Sequence, residues 1–209
     1  MTTFKFLKGA IASALLTLLL AAPAMAHHPF GGQAPQSLFE GLLSGIGHPV
    51  LGFDHLAFVI AVGLLAAVLR RGFTVPLAFL LAALVGTGLH LGELNLPAPE
   101  FVISASVLLF GALVVTRRDL STPAVVALTA LAGMFHGYAY GEAVVGAEPT
   151  PLVAYLIGFT AVQGAIAGVA YLLSQRALNK ERSVGLISVH HAGFAIFGAG
   201  AAFLGSLLV

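Results

Sequence analysis

The feature that most constrains this chain is a series of apolar stretches, each close to the length needed to cross a lipid bilayer. A transmembrane helix needs about 20 apolar residues to cross a hydrocarbon core about 30 Å thick. Stretches of this kind cover residues 48–69, 74–93, 99–116, 122–142, 151–174 and 184–208. The sequence therefore predicts an all-α, polytopic membrane bundle with six transmembrane helices.

The composition excludes most soluble classes of protein. Hydrophobic residues make up 59% of the chain and charged residues 8%, and the mean hydropathy is +1.02. Soluble domains have about 25% charged residues. Too few charges remain here to cover a soluble surface, so a cytoplasmic enzyme, a nucleic-acid binder and a disordered scaffold are excluded. The chain has no cysteine, which also excludes thiolate metal ligands.

Residues 1–26 have the pattern of a secretory signal peptide. Two lysines precede an apolar run, and a small-x-small site follows it: Lys5, Lys8, residues 11–22 and Ala24-Met25-Ala26. We expect cleavage before His27 and a mature membrane domain of residues 27–209. The alternative is an uncleaved signal anchor.

The basic residues between the predicted spans alternate in a way that indicates orientation. The first, third and fifth connections carry all seven lysines and arginines beyond the signal, and the second and fourth carry none. Cytoplasmic loops are enriched in lysine and arginine. We therefore expect a bacterial inner-membrane protein with both mature termini in the periplasm and with acidic outer connections.

Histidine is unusually frequent for so apolar a chain. The eight histidines equal aspartate and glutamate together. An ionisable group at the centre of a bilayer costs about 2.5–3.5 kcal/mol, so each needs a partner, a cavity or a bound ion. Most candidates fall near the predicted outer ends of three spans: His48, Asp54 and His55; His90 and Glu93; His136 and Glu142.

Spacing along the first span predicts that two histidines share a helix face. His48 and His55 are seven residues apart, or two helical turns, and Asp54 lies beside His55. This holds if the helix continues through Pro49, which suits the first turn of a helix.

Depth in the membrane predicts that three histidines lie level with one another. At about 1.5 Å per residue, His55, His90 and His136 all lie roughly 22–27 Å above the inner interface. Glu93 is three residues after His90 and is expected on the same helix face. The spacing therefore predicts that imidazoles from three spans converge on one cation.

These ligand types favour a divalent ion. Imidazole and carboxylate without sulfur suit Ni²⁺, Co²⁺, Zn²⁺ or Mn²⁺ and disfavour Cu(I). After cleavage, His27 and His28 with the free α-amine would form a chelate able to capture an ion at the entrance; the alternative is that they simply follow the cleavage site. His191, from the pair His190-His191, is a candidate inner site on the last span.

Two segments resemble the signatures of the HupE/UreJ family of nickel permeases. Residues 48–55, HPVLGFDH, resemble the family motif HPxxGxDH, and residues 135–142, FHGYAYGE, are similar to FHGxAxGxE. Glu142 comes one position early in the second motif, and Ala143 stands at the family's glutamate. The resemblance implies that Ni²⁺ is handled by His48, Asp54, His55, His136 and Glu142, with an indirect link to hydrogenase or urease maturation.

The favoured interpretation is a nickel permease, and other classes remain open. The chain has no Walker A loop, so ATP cannot drive transport within it. One alternative is a cobalt permease of the same design. Another is an intramembrane zinc hydrolase, in which three histidines hold the metal and Asp54 or Glu142 acts as the base; a bis-histidine haem protein is the third. The expected partners are a divalent ion and membrane lipid, and the oligomeric state is open.

Overall fold

The computed structural model describes residues 33–116 and 121–208, and this part of the chain contains seven helices and no strand. The helices are α1 Leu38–Leu51, α2 Phe53–Val68, α3 Thr74–Leu91, α4 Pro99–Thr116, α5 Thr122–Glu142, α6 Pro149–Lys180 and α7 Arg182–Ser206. The prediction of an all-α fold is confirmed. The expected signal peptide, with His27 and His28, lies outside the described residues.

The predicted spans correspond closely to the helices. By length and composition, α3 to α7 can each cross a membrane, and α1 with α2 makes a sixth span if the bent pair counts as one. Helices α3, α4 and α5 end within two residues of the predicted limits. Helix α6 is longer than predicted, because its 32 residues continue to Lys180. The chain is therefore a multi-pass membrane protein.

The prediction that the first span is one continuous helix is wrong. Helix α1 ends at Leu51, and α2 begins at Phe53 after a bend of 79°. Gly52 lies between them in an extended conformation, with φ −76° and ψ 99°, so the helical hydrogen-bond pattern is interrupted there. Pro49 lies in the last turn of α1, not in a first turn. His48 and His55 therefore belong to different helices.

Helix α2 lies at the centre of the bundle. It packs against α1, α3, α4, α6 and α7, and the residues from Ala61 to Ala67 are all buried. The most extensive pairings around it are α3 with α5, α1 with α6, and α4 with α7. The start of α2, where His55 lies, is thus surrounded by other helices.

Close approach of α3 and α5 depends on glycine. Glycines of α5 face α3, and a Cβ added at Gly137 would overlap the backbone of Ala83. On α3, Gly88 does not contribute to this contact, because a Cβ there would meet nothing within 4 Å. The glycine of α3 that contacts α5 is Gly86, which lies against the backbone of Met134.

Candidate metal site

Three histidines from three helices meet near one end of the bundle. His48 comes from α1, His55 from α2 and His136 from α5, and all three are buried. The ring centres of His48 and His55 are 5.7 Å apart, and those of His55 and His136 are 5.0 Å apart. The bend at Gly52 brings the first pair together, since they do not share a helix face.

His136 is held by hydrogen bonds on both sides of its ring. Its Nδ1 lies 2.8 Å from Nδ1 of His55, and its Nε2 lies 2.9 Å from Oγ of Ser106 in α4. The Ser106 hydroxyl donates in turn to the carbonyl oxygen of Ile103 at 2.7 Å. The three helices α2, α4 and α5 are therefore linked through one imidazole.

Two tyrosines border the histidines. The Tyr140 ring lies 4.5 Å from that of His55 and 5.1 Å from that of His48, between centres. Its hydroxyl is buried and has no hydrogen-bond partner among the described residues. The Tyr155 hydroxyl donates to the carbonyl oxygen of Tyr140 at 2.8 Å and lies 3.1 Å from Nδ1 of His48.

An apolar layer closes the histidine cluster toward the middle of the bundle. Phe58, one turn beyond Asp54 on α2, stacks on His136 with ring centres 4.1 Å apart and an angle of 21°. Phe79 and Phe110 contact Phe58 at 5.5 Å and 4.7 Å between ring centres. All three phenylalanines are buried, so they form a hydrophobic floor beneath the histidines.

Carboxylates lie around the same end of the bundle. Asp54 is half-buried, and its Oδ1 accepts a hydrogen bond from the backbone N–H of His55 at 2.8 Å. Glu142 is the exposed last residue of α5. Asp54 and Glu142 both interact electrostatically with Glu100, in the first turn of α4. These three carboxylates form an acidic group at the histidine end of the bundle.

His90 does not join the three histidines. Its ring packs on Tyr138, with centres 4.4 Å apart, and its Nδ1 is buried without a partner among the described residues. Tyr138 is two residues from His136, which places it about 200° around α5. The predicted depth of His90 contained no information about the direction of its side chain.

Glu93 does not share a helix face with His90, contrary to the prediction. Helix α3 ends at Leu91, and Glu93 follows it with a left-handed φ of 59°. Its side chain is exposed in the connection to α4. The prediction failed because the helical spacing was extended past the end of the helix.

Of the pair His190-His191, the sequence indicated His191 as the candidate inner site, and the structure favours His190. His191 is exposed, whereas His190 is half-buried, and its Nε2 has no partner among the described residues. Of the two, His190 therefore faces the bundle.

The described residues contain no complete metal-binding cluster. In residues 33–116 and 121–208, no three histidine, aspartate or glutamate side chains are grouped so that they could hold one ion. The arrangement instead offers a pair of imidazoles, His48 and His55, with carboxylates nearby.

The sequence model of the HupE / UreJ protein family matches residues 15–203. The chain belongs to the HupE/UreJ family. A HupE/UreJ relative, Protein HupE of Rhizobium leguminosarum bv. viciae, is 31% identical over 189 residues, which cover 88% of this chain and 93% of that protein. No solved structure matches the chain. HupE/UreJ proteins are accessory proteins of the nickel and cobalt transporter type, so this chain is a member of a transporter-type accessory family.

A cavity of about 490 Å³ lies at the opposite end of this HupE/UreJ bundle. It is bordered by Arg70 after α2, Arg182 at the start of α7, and Gln175 and Asn179 of α6. No predicted ligand lines it, and its two arginines disfavour a divalent cation. The candidate site is therefore confined to the histidine end.

Four residues near the HupE/UreJ motifs were not predicted as site residues from the sequence. Tyr140 lies inside the second motif, and Glu100 is one of the acidic residues at the predicted outer connections. Ser106 and Tyr155 are polar residues in otherwise apolar spans. That polarity was the available signal, but it did not indicate which histidine each residue contacts.

Proposed function

We propose that this chain is a permease that moves Ni²⁺ from the periplasm to the cytoplasm, with the ion bound by the imidazoles of His48 and His55 and attracted by the nearby carboxylate of Asp54. The observation that carries the proposal is the 5.7 Å separation of the two imidazole centres. Metal–nitrogen bonds of about 2 Å place the centres of two imidazoles that share an ion about 5 Å apart. A small movement would let both rings bind one ion.

The acidic group supports entry of a cation from the same end. Asp54, Glu100 and Glu142 belong to three different helices, and their charges interact. Clustered charge of one sign raises the local concentration of oppositely charged ions and the rate of their binding. We propose that His27 and His28, which precede the described residues, capture the ion before it reaches this group.

The exposure of the histidines supports an order along the path. Their exposed fractions fall from 8% for His48 to 5% for His55 and 0% for His136. An ion from the outside would meet His48 and His55 before His136. The unpartnered hydroxyl of Tyr140 beside both rings could accept or donate a hydrogen bond to water on the ion. A site with few protein ligands binds weakly enough to release the ion.

The proposed direction and destination follow from orientation and family. The lysine and arginine pattern supports a periplasmic location of the acidic end, and the proposed membrane is the bacterial inner membrane. The family's accessory role supports supply of nickel to hydrogenase or urease maturation. Cobalt is the nearest competing cargo, because nitrogen and oxygen ligands scarcely separate the two ions.

Radiotracer uptake into proteoliposomes tests the proposal. We expect purified protein to take up ⁶³Ni²⁺ down its gradient, and His48→Ala and His55→Ala each to abolish uptake. His191→Ala is the matched control, because His191 is exposed, and it should transport normally. Excess unlabelled Co²⁺ or Zn²⁺ measures selectivity.

Two results would contradict the proposal. The first is uptake at the wild-type rate by both His48→Ala and His55→Ala at limiting nickel. The second is stoichiometric zinc that survives purification and dialysis, since tight retention is expected of a hydrolase site and not of a permease.

A further inference from the structure

A hydroxyl that bonds to a backbone carbonyl determines the proton position on a neighbouring histidine. A hydroxyl has one hydrogen to donate, and a carbonyl oxygen can only accept. Ser106 donates to Ile103 O at 2.7 Å, so at its 2.9 Å contact with His136 it must accept from the Nε2–H of that ring. The proton of His136 is therefore on Nε2.

The hydrogen bonds of His136 also determine the proton position on His55. His136 is fully buried and stacks on Phe58, and a buried imidazole in such surroundings is neutral, with one N–H. Its Nδ1 must then accept, so the 2.8 Å contact between the two Nδ1 atoms is donated by His55. The proton of a neutral His55 is on Nδ1, and its lone pair is on Nε2.

An independent chain of hydrogen bonds reaches His48. The Tyr155 hydroxyl donates its hydrogen to Tyr140 O at 2.8 Å. At its 3.1 Å contact with His48 it must accept, so His48 donates through Nδ1–H. The lone pair of His48 is therefore also on Nε2, although the two chains share no residue before they reach the histidines.

We propose that His136 and Tyr155 are positioning residues, which fix His55 and His48 in the tautomer that presents Nε2 to the metal ion. The identity of the bound metal rests on the proposed function, whereas the proton positions on the histidines do not. Both chains end on backbone carbonyls, of Ile103 and Tyr140, which do not titrate and cannot reverse direction. A metal-binding histidine characteristically donates its other N–H to such a partner, which fixes its tautomer and orientation.

The proposal changes the role expected for His136. Both ring nitrogens of His136 are used, one toward Ser106 and one toward His55. It acts on the ion through His55, and Ser106 acts through His136. Loss of an outer partner of this kind typically weakens metal binding by about 10- to 100-fold.

Nitrogen NMR of histidine-labelled protein tests the proton positions without any metal. We expect the protonated nitrogen to be Nδ1 in His48 and His55 and Nε2 in His136. Each NMR signal is assigned to its residue by comparison with variants in which one histidine is replaced. Tyr155→Phe should give His48 a mixture of tautomers and leave His55 unchanged. Ser106→Ala should give His55 a mixture of tautomers and leave His48 unchanged. Ser106→Thr should show the wild-type pattern, because it keeps the hydroxyl.

Nickel binding to the same variants tests positioning against a merely structural role. Tyr155→Phe and Ser106→Ala should bind Ni²⁺ about 10- to 100-fold more weakly while they remain folded, and Ser106→Thr should recover most of that loss. Tyr171→Phe is the control, because Tyr171 lies on the same helix but contacts Phe73. It should bind as the wild type does.

The outcomes separate this inference from the proposed function. A wild-type His48 or His55 protonated on Nε2 overturns the inference, whatever the transport result. Tyr155→Phe that keeps both the tautomer and the nickel affinity of the wild type also overturns it. If the protons are as expected but the wild type neither binds nor transports nickel, the hydrogen-bond assignment is supported and the nickel permease proposal fails.

Discussion

The Nδ1 atoms of His55 and His136 lie 2.8 Å apart, so one imidazole–imidazole hydrogen bond connects α2 to α5. The two segments that resemble the HupE/UreJ motifs, residues 48–55 and 135–142, meet at this bond. His55 is also fixed at its backbone, where its N–H donates to Asp54. His55 is therefore held both at its backbone N–H and at its ring, and small changes near it should weaken ion binding before they destabilise the fold.

Gly52→Ala should reduce nickel uptake with little effect on stability. An added Cβ would lie 2.7 Å from Cδ2 of His55, the end of a side chain that can move away. The φ of −76° at this position is accessible to alanine. We expect the imidazole to be displaced and uptake at limiting nickel to fall about tenfold, as for a lost outer partner. Proteoliposome uptake and thermal unfolding in detergent measure the two effects.

The control for Gly52→Ala is Gly205→Ala, where an added Cβ would meet nothing within 4 Å. It should leave uptake and stability unchanged. Wild-type uptake by Gly52→Ala would show that the position of the His55 ring does not limit transport.

Glu100→Gln should raise KM for nickel without lowering kcat. Glu100 interacts electrostatically with Asp54 and Glu142, and removal of one charge weakens attraction of the cation. At low ionic strength we expect KM to rise about 2- to 10-fold. The difference should shrink at about 1 M salt, where the screening length is about 3 Å.

Glu148→Gln is the matched control for Glu100→Gln. Glu148 is an exposed residue at the start of α6 and is not among the charges that act on Glu100. Initial rates of uptake over a range of nickel and salt concentrations compare the two variants. A salt-independent effect at Glu100 would indicate direct binding instead of steering.

Gly137→Ala should destabilise the bundle, whereas Gly88→Ala should not. A Cβ at Gly137 would overlap the backbone of Ala83, and overpacking of this kind costs about 1–3 kcal/mol. A Cβ at Gly88 meets nothing within 4 Å, and alanine is favoured over glycine inside a helix by about 0.5–1 kcal/mol. Thermal unfolding in detergent compares the variants. Equal melting temperatures would contradict the close contact between α3 and α5.

Phe58→Ala should open the floor beneath the histidines. Phe58 is fully buried between His136, Phe79 and Phe110, and removal of a buried phenyl ring costs about 3–5 kcal/mol. We expect lower stability together with leakage of Mg²⁺ above the wild-type level. Phe58→Leu keeps most of the apolar volume and should leak less.

Phe194→Ala is the control for Phe58→Ala, because Phe194 is 58% exposed on α7. It should be stable and free of leakage. Uptake of Mg²⁺ into proteoliposomes, measured with a trapped dye, compares the three variants. A stable and selective Phe58→Ala would show that the ion path does not pass this ring.

The sequence predicted the spans well because a bilayer imposes one requirement on every helix that crosses it. Apolar length and flanking charge are local properties, and α3, α4 and α5 end where those properties change. Helix α1 was missed because residues 38–47 include Glu40 and Ser44 and do not read as part of a span. The bend at Gly52 was missed because hydropathy does not report the direction of a helix axis.

The site was predicted in part for a related reason. The rise per residue correctly placed His55 and His136 near one level, but it contains no information about which way each side chain points. Side-chain direction is what keeps His90 out of the cluster, because His90 packs on the face of α5 opposite to the one that carries His136. Ser106 and Tyr155 contact residues 30 and 107 positions away in the chain, so only the packed helices show their role.

Helix α6, with 32 residues, extends about 48 Å at 1.5 Å per residue, against a hydrocarbon layer of about 30 Å. It must therefore either lean strongly or project several turns into water. Since α7 begins at Arg182, directly after Glu181, the end of α6 and the start of α7 form a helical hairpin that carries Arg176, Lys180 and Arg182. That hairpin offers a rigid handle for a fluorophore or an antibody fragment, far from the ion and attached to the same helix that holds Tyr155.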